Sequence, residues 1–431
     1  MGLFTFDLAV QLAFMGIFAL NALITLVFLV RQISFSIVAI GLPRSNPFSR
    51  VQMKEWPSVT VLVAAHNEEQ VLGGCLDHLL RLDYTRAALD IIVVNDRSRD
   101  NTGPILDRYV ASSEGRIRAI HRPDDAVPGK PAALADAFRL VTSELVIFFD
   151  ADYLPDPPLL KKLVAPFIDP EVGATMGRVV PYNTQTNLLT RLLDLERRGG
   201  YAVDQAVRSH WNLLPQFGGT VGGVRMSALG EVGGWRADTL AEDTDLTYRL
   251  FAAGYIVEYV DDAMCFEESP ADWRVRYKQI RRWACGHNQC LFRYLGTTLK
   301  TPHQPLLRRL DASLVLLFFL FPTLSLAGLI AAMIYPTLYA FPPFNFAVIS
   351  AFSFVVAFGN FSPYFQIVSA VLRDRQPEAI VMLPLMFLSS AISMLAAIQG
   401  FALAVRGAIF NRHLQWDKTT RFRGVPANAV S

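Results

Sequence analysis

Residues 145–152 read Leu-Val-Ile-Phe-Phe-Asp-Ala-Asp, so that five consecutive apolar side chains lead directly into two carboxylates. A short apolar run without polar alternation is typical of a strand that is buried on both faces of a parallel sheet. Ligands of such sheets bind outside the carboxyl ends of the strands. The segment therefore predicts an α/β domain whose ligand-binding edge carries Asp150 and Asp152.

The sequence before this segment repeats the same pattern. Apolar runs at residues 59–64, 91–94 and 117–120 predict three more strands, and helical spacing of apolar residues at 69–82 and 131–140 separates them. Strands that alternate with helices indicate a parallel sheet that is covered by helices on both sides.

Polar residues follow the first two of these runs, as His-Asn-Glu-Glu at 66–69 and Asn-Asp-Arg-Ser at 95–98. A single Asp or Asn at a strand end is often only a turn former or a helix cap. Acids at three strand ends are harder to explain in that way, because clustered carboxylates repel each other unless a cation joins them. Hard divalent cations prefer oxygen ligands and also bind phosphates. Since neither GxxxxGK[ST] nor GxGxxG occurs, the sequence predicts that metal and side chains hold any phosphate.

Three further patterns carry polar side chains. Lys130 lies in a Pro-Gly-Lys-Pro loop before a helix, where it could neutralise a diphosphate, although an exposed surface lysine is the simpler interpretation. Residues 240–245, Leu-Ala-Glu-Asp-Thr-Asp, place three acids before a helical run at 246–253, and capping of that helix is an alternative explanation. Residues 279–283, Gln-Ile-Arg-Arg-Trp, lie in a segment that is also typical of an amphipathic helix on a membrane surface.

Charged residues make up 18% of the chain, below the roughly 25% of a typical soluble protein. The shortfall lies in four apolar stretches that together contain a single charged residue, Asp7. They are residues 1–30, 312–335, 344–372 and 379–405. Each is long enough for a membrane-spanning helix, which needs about 20 apolar residues. The first has no basic residue before it and no small-residue cleavage site after it, so we interpret it as an uncleaved anchor.

Basic residues favour the cytoplasmic side of a membrane. Four of them follow the first stretch, namely Arg31, Arg44, Arg50 and Lys54. They predict a cytoplasmic central domain. Three crossings after that domain would leave the basic C-terminal tail outside, in conflict with the same rule. We therefore expect one apolar stretch to be re-entrant or interfacial and Lys418 to lie inside.

The composition argues against several other classes of protein. A net charge of +2 gives no basic field for nucleic acid, and the four cysteines form no CxxC pair, so zinc is not expected. A transporter or channel would place ionisable residues inside its spans, where this chain has only Asp7. A nucleotidyltransferase also uses paired acids and a metal, but it gives no reason for the membrane stretches or for Gln-Ile-Arg-Arg-Trp.

The order and spacing of these motifs resemble the membrane-bound family-2 glycosyltransferases, which include cellulose, hyaluronan and β-mannan synthases and related glycolipid enzymes. The resemblance covers residues 59–292 and the flanking apolar stretches. Its motifs read HNEE, NDRSRD, PGKPAAL, DAD, FGGTVGG, EDTD and QIRRW, and QIRRWACGHNQ at 279–289 is especially similar to the plant β-mannan synthases. The resemblance implies the GT-A fold, a Rossmann-like nucleotide-sugar-binding α/β domain, flanked by transmembrane helices.

The resemblance also implies roles on the donor side of the site. Ala65, Asn67 and Glu68 would line the nucleotide base pocket, and Asp96 would contact the nucleoside. Lys130 and Arg282 would reach the diphosphate. Asp150 and Asp152 would form the DxD motif, which binds the diphosphate through Mg²⁺ or Mn²⁺.

Other residues would act on the acceptor. Asp243 would be the general base, with Glu242 beside it on the acceptor side. Gln279 and Trp283 would belong to a QxxRW motif, in which the tryptophan stacks under the acceptor sugar. Two details depart from the family pattern: Ala241 replaces a common Thr before the Glu-Asp pair, and residues 416–421 match the cytosolic gating motif of polymerising members only loosely.

These observations predict a metal-dependent inverting glycosyltransferase in the plasma or inner membrane. It would move a sugar from a UDP- or GDP-sugar to a growing β-linked glycan. Transfer of one or a few sugars to a membrane lipid is the alternative. The expected partners are the donor, a glycan or lipid acceptor and membrane lipids, without nucleic acid, and a homo-oligomer or accessory subunit stays open.

The same observations divide the chain into five parts. We expect a transmembrane anchor and juxtamembrane segment, a cytoplasmic catalytic domain, an amphipathic interface segment with QxxRW, transmembrane helices and a basic tail. Their predicted bounds are 1–50, 51–270, 271–310, 311–405 and 406–431.

Overall fold

The structure, a computed structural model, describes residues 2–43, 47–51, 53–338, 350, 359 and 361–410. Within these residues an eight-stranded sheet has the order β3-β2-β1-β4-β7-β6-β8-β5. Its strands are β1 (Val59–Ala65), β2 (Leu89–Asn95), β3 (Ile117–His121), β4 (Leu145–Asp150), β5 (Leu154–Pro155), β6 (Val172–Pro181), β7 (Gly222–Arg225) and β8 (Ile256–Glu267). The four strands predicted from apolar runs are β1 to β4.

Strands β1 to β4 form the parallel half of the sheet, as predicted. β1 pairs with β2 and β4, and β2 pairs with β3, all in parallel. Their side chains alternate between two buried clusters, because Val61 and Val63 enter the cluster on one face and Leu62 enters the cluster on the other. Burial on both faces explains why these strands lack polar alternation.

The other half of the sheet is mixed, which the apolar pattern did not predict. β7 runs antiparallel to both β4 and β6, while β6 and β8 pair in parallel. β7 begins with Gly222 and Gly223, where an added Cβ would lie 2.3 Å from the carbonyl oxygen of Thr175 and 2.4 Å from Cδ1 of Ile147, respectively. A strand that passes such close neighbours needs glycine, so it has no apolar run that would mark it in the sequence.

Helices surround the sheet and extend beyond it at both ends of the chain. They are α1 (Gly2–Gly41), α2 (Leu72–Leu80), α3 (Thr102–Ser112), α4 (Lys130–Phe138), α5 (Leu159–Val164), α6 (Leu188–Arg198), α7 (Ala206–His210), α8 (Met226–Glu231), α9 (Glu242–Ala253), α10 (Trp273–Lys300), α11 (Leu306–Leu317), α12 (Phe321–Leu338), α13 (Ser362–Arg373) and α14 (Met386–Phe410). A π-helical turn, Gly199–Gln205, joins α6 to α7, and 3-10 turns lie at Pro47–Arg50, Arg86–Ala88, Ala165–Ile168 and Pro377–Leu385. The helices predicted at 69–82, 131–140 and 246–253 correspond to α2, α4 and α9.

Two helices in the described part of the chain are long and apolar enough to cross a membrane, Ala9–Gly41 and Pro377–Phe410. A third span results if Leu306–Leu317 and Phe321–Tyr335, which are bent by 69°, cross together. These segments correspond to three of the four predicted apolar stretches.

Of the fourth predicted stretch, 344–372, most of the part before residue 361 lies outside the described residues. Its described end belongs to α13, which has 12 residues. The tail motif at 416–421, with Lys418, also lies outside the described residues.

α1 is 40 residues long, about 60 Å, which is twice the thickness of a hydrocarbon core. Its last third packs against the central domain through Phe35 and Ala39. Arg31 lies at the start of this part and donates to Asp311 at 2.6 Å and to Asp204 at 2.8 Å. Arg31, the first basic residue after the apolar stretch, is therefore still part of α1 and is paired in a contact between α1, the π-helical turn and α11.

α10 carries the Gln-Ile-Arg-Arg-Trp sequence and packs closely on α14. An added Cβ at Gly400 of α14 would lie 2.6 Å from the carbonyl oxygen of Arg281 and 2.7 Å from the Cβ of Ala284, so glycine is what lets the two backbones approach. At Gly286 the same helix approaches the segment before α9, since an added Cβ there would lie 2.7 Å from the Cβ of Ala241. α10 thus connects an apolar helix to the edge of the sheet domain.

Candidate active site

The loops after β1 and β2 are joined into one polar rim. The amide of Asn67 donates to Ser98 Oγ at 2.9 Å, and the Asn67 side-chain oxygen accepts from the Arg99 amide at 2.8 Å. The amide of Glu68 donates to Thr102 Oγ1 at 2.7 Å. Asn67 has a positive φ of 53°, which asparagine tolerates better than most residues. The structure therefore brings the His-Asn-Glu-Glu and Asn-Asp-Arg-Ser loops together, as their strand-end positions predicted.

Asp96 is buried at the centre of this rim. Its amide donates to the carbonyl oxygen of Ala65 at 2.7 Å, and its carboxylate accepts from Arg122 at 2.6 Å, Arg97 at 2.9 Å and the Gly129 amide at 3.0 Å. Burial by itself would raise the pKa of Asp96, but these hydrogen bonds outweigh it and hold the pKa below its ordinary value. Asp96 is therefore a fixed anion that ties the loop before α4 to the sheet.

Lys130 and Asp150 meet where α4 begins and β4 ends. Lys130 Nζ donates to the Asp150 carboxylate and, at 3.0 Å, to the carbonyl oxygen of Gly219. Burial alone would lower the pKa of Lys130, but Asp150, Glu242 and nearby carboxylate charge raise it above its ordinary value. The lysine is thus a half-buried cation of the site and not the exposed surface residue that its loop position allowed.

Asp152 lies beyond Asp150 and is 3% exposed. Its Oδ2 accepts from the amide of Glu268 at 3.3 Å, just after β8. In the described part of the chain no three His, Cys, Asp or Glu residues form a group that could hold a metal ion. The Asp-Ala-Asp segment contributes two carboxylates, which are hard oxygen donors of the kind that divalent cations prefer.

Glu242 and Asp243 are the first two residues of α9, and their charges interact with Lys130. Burial, then the charge of Asp243, raises the pKa of Glu242 to about 7, although Lys130 and Arg282 act in the opposite direction. Burial also raises the pKa of Asp243, against the hydrogen bond from the Thr244 amide at 2.7 Å and the same two cations. The structure thus brings Lys130, Asp150, Glu242, Asp243 and Arg282 together from four separate segments.

Gly219 makes this arrangement possible. It has a positive φ of 69°, and an added Cβ would lie 3.1 Å from the Cβ of Asp243. The Phe-Gly-Gly-Thr loop therefore passes directly against the acid, while Thr220 Oγ1 accepts from the Asp150 amide at 3.2 Å.

Asp245, the third acid of the segment, has a different role. It is fully buried and accepts from Arg249 at 2.8 Å, from Arg293 at 3.1 Å and from the hydroxyl of Tyr294. A carboxylate held by two guanidinium groups and a phenol connects α9 to α10, which is a structural function.

The remaining predicted residues lie on α10. Gln279 is buried and accepts from Arg276 at 2.8 Å. The ring of Trp283 has the guanidinium carbons of Arg197 and Arg276 at 5.4 Å and 5.5 Å from its centroid. Trp283 also belongs to an apolar cluster with Ile280, Ala284, Phe319, Ala396 and Ala397. Trp283 therefore lies where α10 meets the apolar helix α14, and Gln279 lies one turn before it on α10.

Sequence reasoning missed two groups of residues at the site. Arg122 directly follows β3, and the strand-end argument applied to the other strands would have found it. Gln216, Thr244 and His287 form a polar contact behind Asp243, but they come from three distant segments and no local pattern joins them.

The sequence is similar to known proteins over most of its length. The probable glycosyltransferase YdaM of Bacillus subtilis (strain 168) is 29% identical over 385 residues, which are 88% of this chain and 90% of that protein. The β-monoglucosyldiacylglycerol synthase of Synechocystis sp. (strain ATCC 27184 / PCC 6803 / Kazusa) is 30% identical over 288 residues, 64% of this chain and 58% of that protein. Glucomannan 4-beta-mannosyltransferase 7 of Arabidopsis thaliana is 28% identical over 263 residues, which are 59% of this chain and 47% of that protein. The chain thus spans about half the length of the last two relatives.

A solved structure supports the fold assignment. The mannosyltransferase PcManGT from Pyrobaculum calidifontis, in complex with GDP-Man and Mn²⁺, matches with a TM-score of 0.53 at 19% identity, over 82% of this chain and 98% of that one. At this identity the likeness shows the fold alone, and it confirms the predicted GT-A fold.

The family profile described as glycosyltransferase like family 2 matches residues 57–286, just over half of the chain. The matched range contains every site residue predicted above, from Ala65 to Trp283. The resemblance that the motifs indicated is confirmed, and the chain belongs to the family-2 glycosyltransferases.

Proposed function

We propose that this chain is a metal-dependent inverting enzyme that transfers a sugar from a UDP- or GDP-sugar to a growing β-linked glycan at a membrane. The observation that carries the proposal is the meeting of Lys130 and Asp150 with Glu242, Asp243 and Arg282. Cations for a leaving diphosphate and a half-buried acid for an incoming hydroxyl then lie close together, which glycosyl transfer requires.

The donor binds along the rim formed by β1, β2 and β4. Ala65, Asn67 and Glu68 line the base pocket, and Asp96 contacts the nucleoside. Lys130 and Arg282 approach the diphosphate, where their charges stabilise the negative charge that develops as it leaves.

Asp150 and Asp152 hold Mg²⁺ or Mn²⁺ in this proposal. When bound, the ion neutralises the diphosphate and supports its departure. The Mn²⁺ in the complex of the mannosyltransferase PcManGT supports a divalent ion in this family.

The transfer is a single displacement. The acceptor oxygen forms a bond to the anomeric carbon as the bond from that carbon to the diphosphate oxygen breaks, and the electron pair leaves with the nucleoside diphosphate. Asp243 accepts the proton of the acceptor hydroxyl, and Glu242 holds the acceptor beside it. Burial raises the pKa of Asp243, which makes it a stronger base than an exposed carboxylate.

Gln279 and Trp283 bind the acceptor on the face of α10. The tryptophan stacks under a sugar ring. The mannosyltransferase relative from Arabidopsis thaliana supports a glycan acceptor.

A membrane lipid is the second candidate acceptor. The apolar cluster that joins Trp283 to Phe319 and to Ala396 and Ala397 of α14 favours it, because a lipid-borne hydroxyl would reach the site along an apolar surface. The Synechocystis relative is named for a glucosylated diacylglycerol, which supports the same acceptor class.

We further propose that the enzyme is a multi-pass protein of the plasma or inner membrane with a cytoplasmic catalytic domain. The basic residues after the first apolar stretch support this orientation. The division of the chain into five parts, with boundaries after residues 50, 270, 310 and 405, belongs to the same proposal. Assembly into a homo-oligomer or with an accessory subunit is also part of it.

Membranes that contain the full chain, incubated with a panel of labelled UDP- and GDP-sugars, test the proposal. Labelled polymer supports the glycan acceptor, and label confined to small glycolipids supports the lipid acceptor. Membranes with Asp243→Asn serve as the matched control. Label transfer from none of the donors, with correctly folded protein in the membrane, would overturn the proposed activity.

A further inference from the structure

His287 lies on α10 one turn after Trp283 and reaches back towards α9. Its Nε2 is 3.3 Å from Thr244 Oγ1 and 3.3 Å from the side-chain nitrogen of Gln216. Gln216 Nε2 also donates to Thr244 Oγ1 at 2.8 Å. These three side chains meet directly behind Asp243, whose Oδ1 is 3.4 Å from Thr244 Oγ1.

The partners of His287 determine its tautomer. The side-chain nitrogen of Gln216 can only donate hydrogen bonds. His287 Nε2, which faces it, therefore acts as an acceptor, and the ring proton is on Nδ1. Burial lowers the pKa of His287 to about 4, so the ring is neutral at pH 7 and keeps this acceptor.

Thr244 has one hydroxyl hydrogen and two acceptors for it. One is Asp243 Oδ1 at 3.4 Å, and the other is His287 Nε2 at 3.3 Å. A hydrogen bond donated to a carboxylate stabilises its charged form and makes it a weaker base. If the hydroxyl hydrogen goes to His287 instead, the only hydrogen bond that Thr244 donates to Asp243 Oδ1 is the one from its backbone amide, at 2.7 Å.

The imidazole is held in place on its other side. Its ring centroid is 4.8 Å from that of Phe319, which lies at the break between α11 and α12. Nδ1 is buried and has no hydrogen-bond partner among the described residues. An apolar side chain would fill the same place without a buried unsatisfied donor, so packing alone does not explain a histidine here.

We propose that His287 is a positioning residue for glycosyl transfer, which draws the Thr244 hydroxyl away from Asp243 and so keeps this carboxylate a strong base. The inference rests on the proposed role of Asp243 as the general base. It assigns to His287 no contact with donor or acceptor.

Two substitutions separate the acceptor atom from the bulk of the ring. His287→Leu keeps an apolar side chain against Phe319 and removes Nε2, while His287→Gln places an amide oxygen near the position of Nε2. We expect His287→Leu to lower kcat about tenfold, a part of the 10²–10⁴-fold that general base catalysis supplies, with the donor KM unchanged. His287→Gln should stay close to the wild type.

The pH dependence of kcat/KM reports the basicity of Asp243 more directly. In His287→Leu the Thr244 hydroxyl turns to Asp243, so the acid limb should move to lower pH. Other titratable groups that interact with Asp243 are unchanged in every variant, and they include Glu242, Lys130, Tyr201, Arg282 and Cys290.

A double-mutant cycle with Thr244→Val completes the test. If His287 acts through the hydroxyl, His287→Leu should have no further effect on kcat once that hydroxyl is gone, whereas independent structural damage would add. Full kcat in His287→Leu, equal losses in the Leu and Gln variants, or additive losses in the cycle would each overturn the inference. Turnover retained in Asp243→Asn would instead overturn the proposed role of Asp243 as the base, and an absence of transfer by the wild type would overturn the proposed activity, so the failures are distinguishable.

Discussion

The two sides of the site are built in different ways. The side that is proposed to bind the donor consists of loops that follow β1 to β4, where opposite charges such as Asp96 and Arg122 neutralise each other. The side that is proposed to bind the acceptor lies mainly on α9 and α10, where Glu242 and Asp243 are adjacent acids whose pKa values are raised. α10 in turn packs on the apolar helix α14 through Gly400. Donor binding should therefore depend on the sheet, and turnover on the helices and their apolar support.

Removal of the divalent ion should have the largest effect, because Asp150 and Asp152 are proposed to bind the diphosphate through it. Excess EDTA should abolish turnover, and Mg²⁺ or Mn²⁺ should restore it. Asp152→Asn should weaken donor binding as well as turnover. Full transfer activity in excess EDTA would contradict the metal assignment.

Asp243→Asn should have the next largest effect, on turnover and not on donor binding. The amide keeps the size of the carboxylate and removes its basicity, so turnover should fall by about 10²–10⁴-fold. Because asparagine caps a helix about as well as aspartate does, a residue that merely starts α9 would tolerate the change. A variant that keeps most of its turnover in a steady-state assay would reject Asp243 as the base.

Gly400→Ala tests whether the acceptor side depends on α14. The added Cβ would meet the backbone of Arg281, so α10 or α14 must shift, with a cost of about 1–3 kcal/mol, as for other overpacked sites. We expect turnover to fall several-fold while donor affinity stays the same. Gly296→Ala, on α10 with nothing within 4 Å of the added atom, is the matched control and should behave like the wild type. Equal behaviour of the two variants would separate α14 from the site.

Glu242→Gln should have the smallest effect, which is a change in the stability of the fold and in the pH dependence of that stability. The folded-state pKa of Glu242 is about 7, above its ordinary value of 4.5, so its contribution to stability is present below pH 4.5 and is lost as the pH rises to 7. Glu242→Gln removes this loss and should raise the Tm at pH 8 by a few degrees, at roughly 2–4 °C per kcal/mol. The exposed Glu55→Gln should leave the Tm profile unchanged in the same thermal scan. A lower Tm for Glu242→Gln at pH 8 would contradict the raised pKa that is assigned to Glu242.

The donor side could be predicted from the sequence to a greater extent than the acceptor side. Residues 145–152 join a strand and its functional acids in one uninterrupted segment, so local pattern and site coincide there. β7 escaped prediction because Gly222 and Gly223 serve a close backbone approach and not burial of side chains. Burial and the adjacent Asp243 raise the pKa of Glu242, while Lys130 and Arg282 oppose that rise. These two cations come from distant segments of the chain, and no spacing rule brings them to α9.

The helices after the central domain show the same limit. Apolar composition was sufficient to predict that 379–405 is helical and long enough for a span. It did not predict that Gly400 meets Arg281 and Ala284, because this contact joins residues more than a hundred positions apart. The contact of His287 with Thr244 has the same origin, since the docking of α10 against α9 creates it.

Equilibrium binding of the donor tests the separation of the two sides most directly. Calorimetric titration of the nucleotide sugar that supports transfer, with Mg²⁺ or Mn²⁺ present, should be made on the wild type, Asp152→Asn and Asp243→Asn in one detergent. We predict that Asp243→Asn binds the donor with the wild-type Kd although it does not turn over, and that Asp152→Asn binds it markedly more weakly. A Kd that rises equally in both variants would show that the acid of α9 belongs to the donor side, and it would contradict the account.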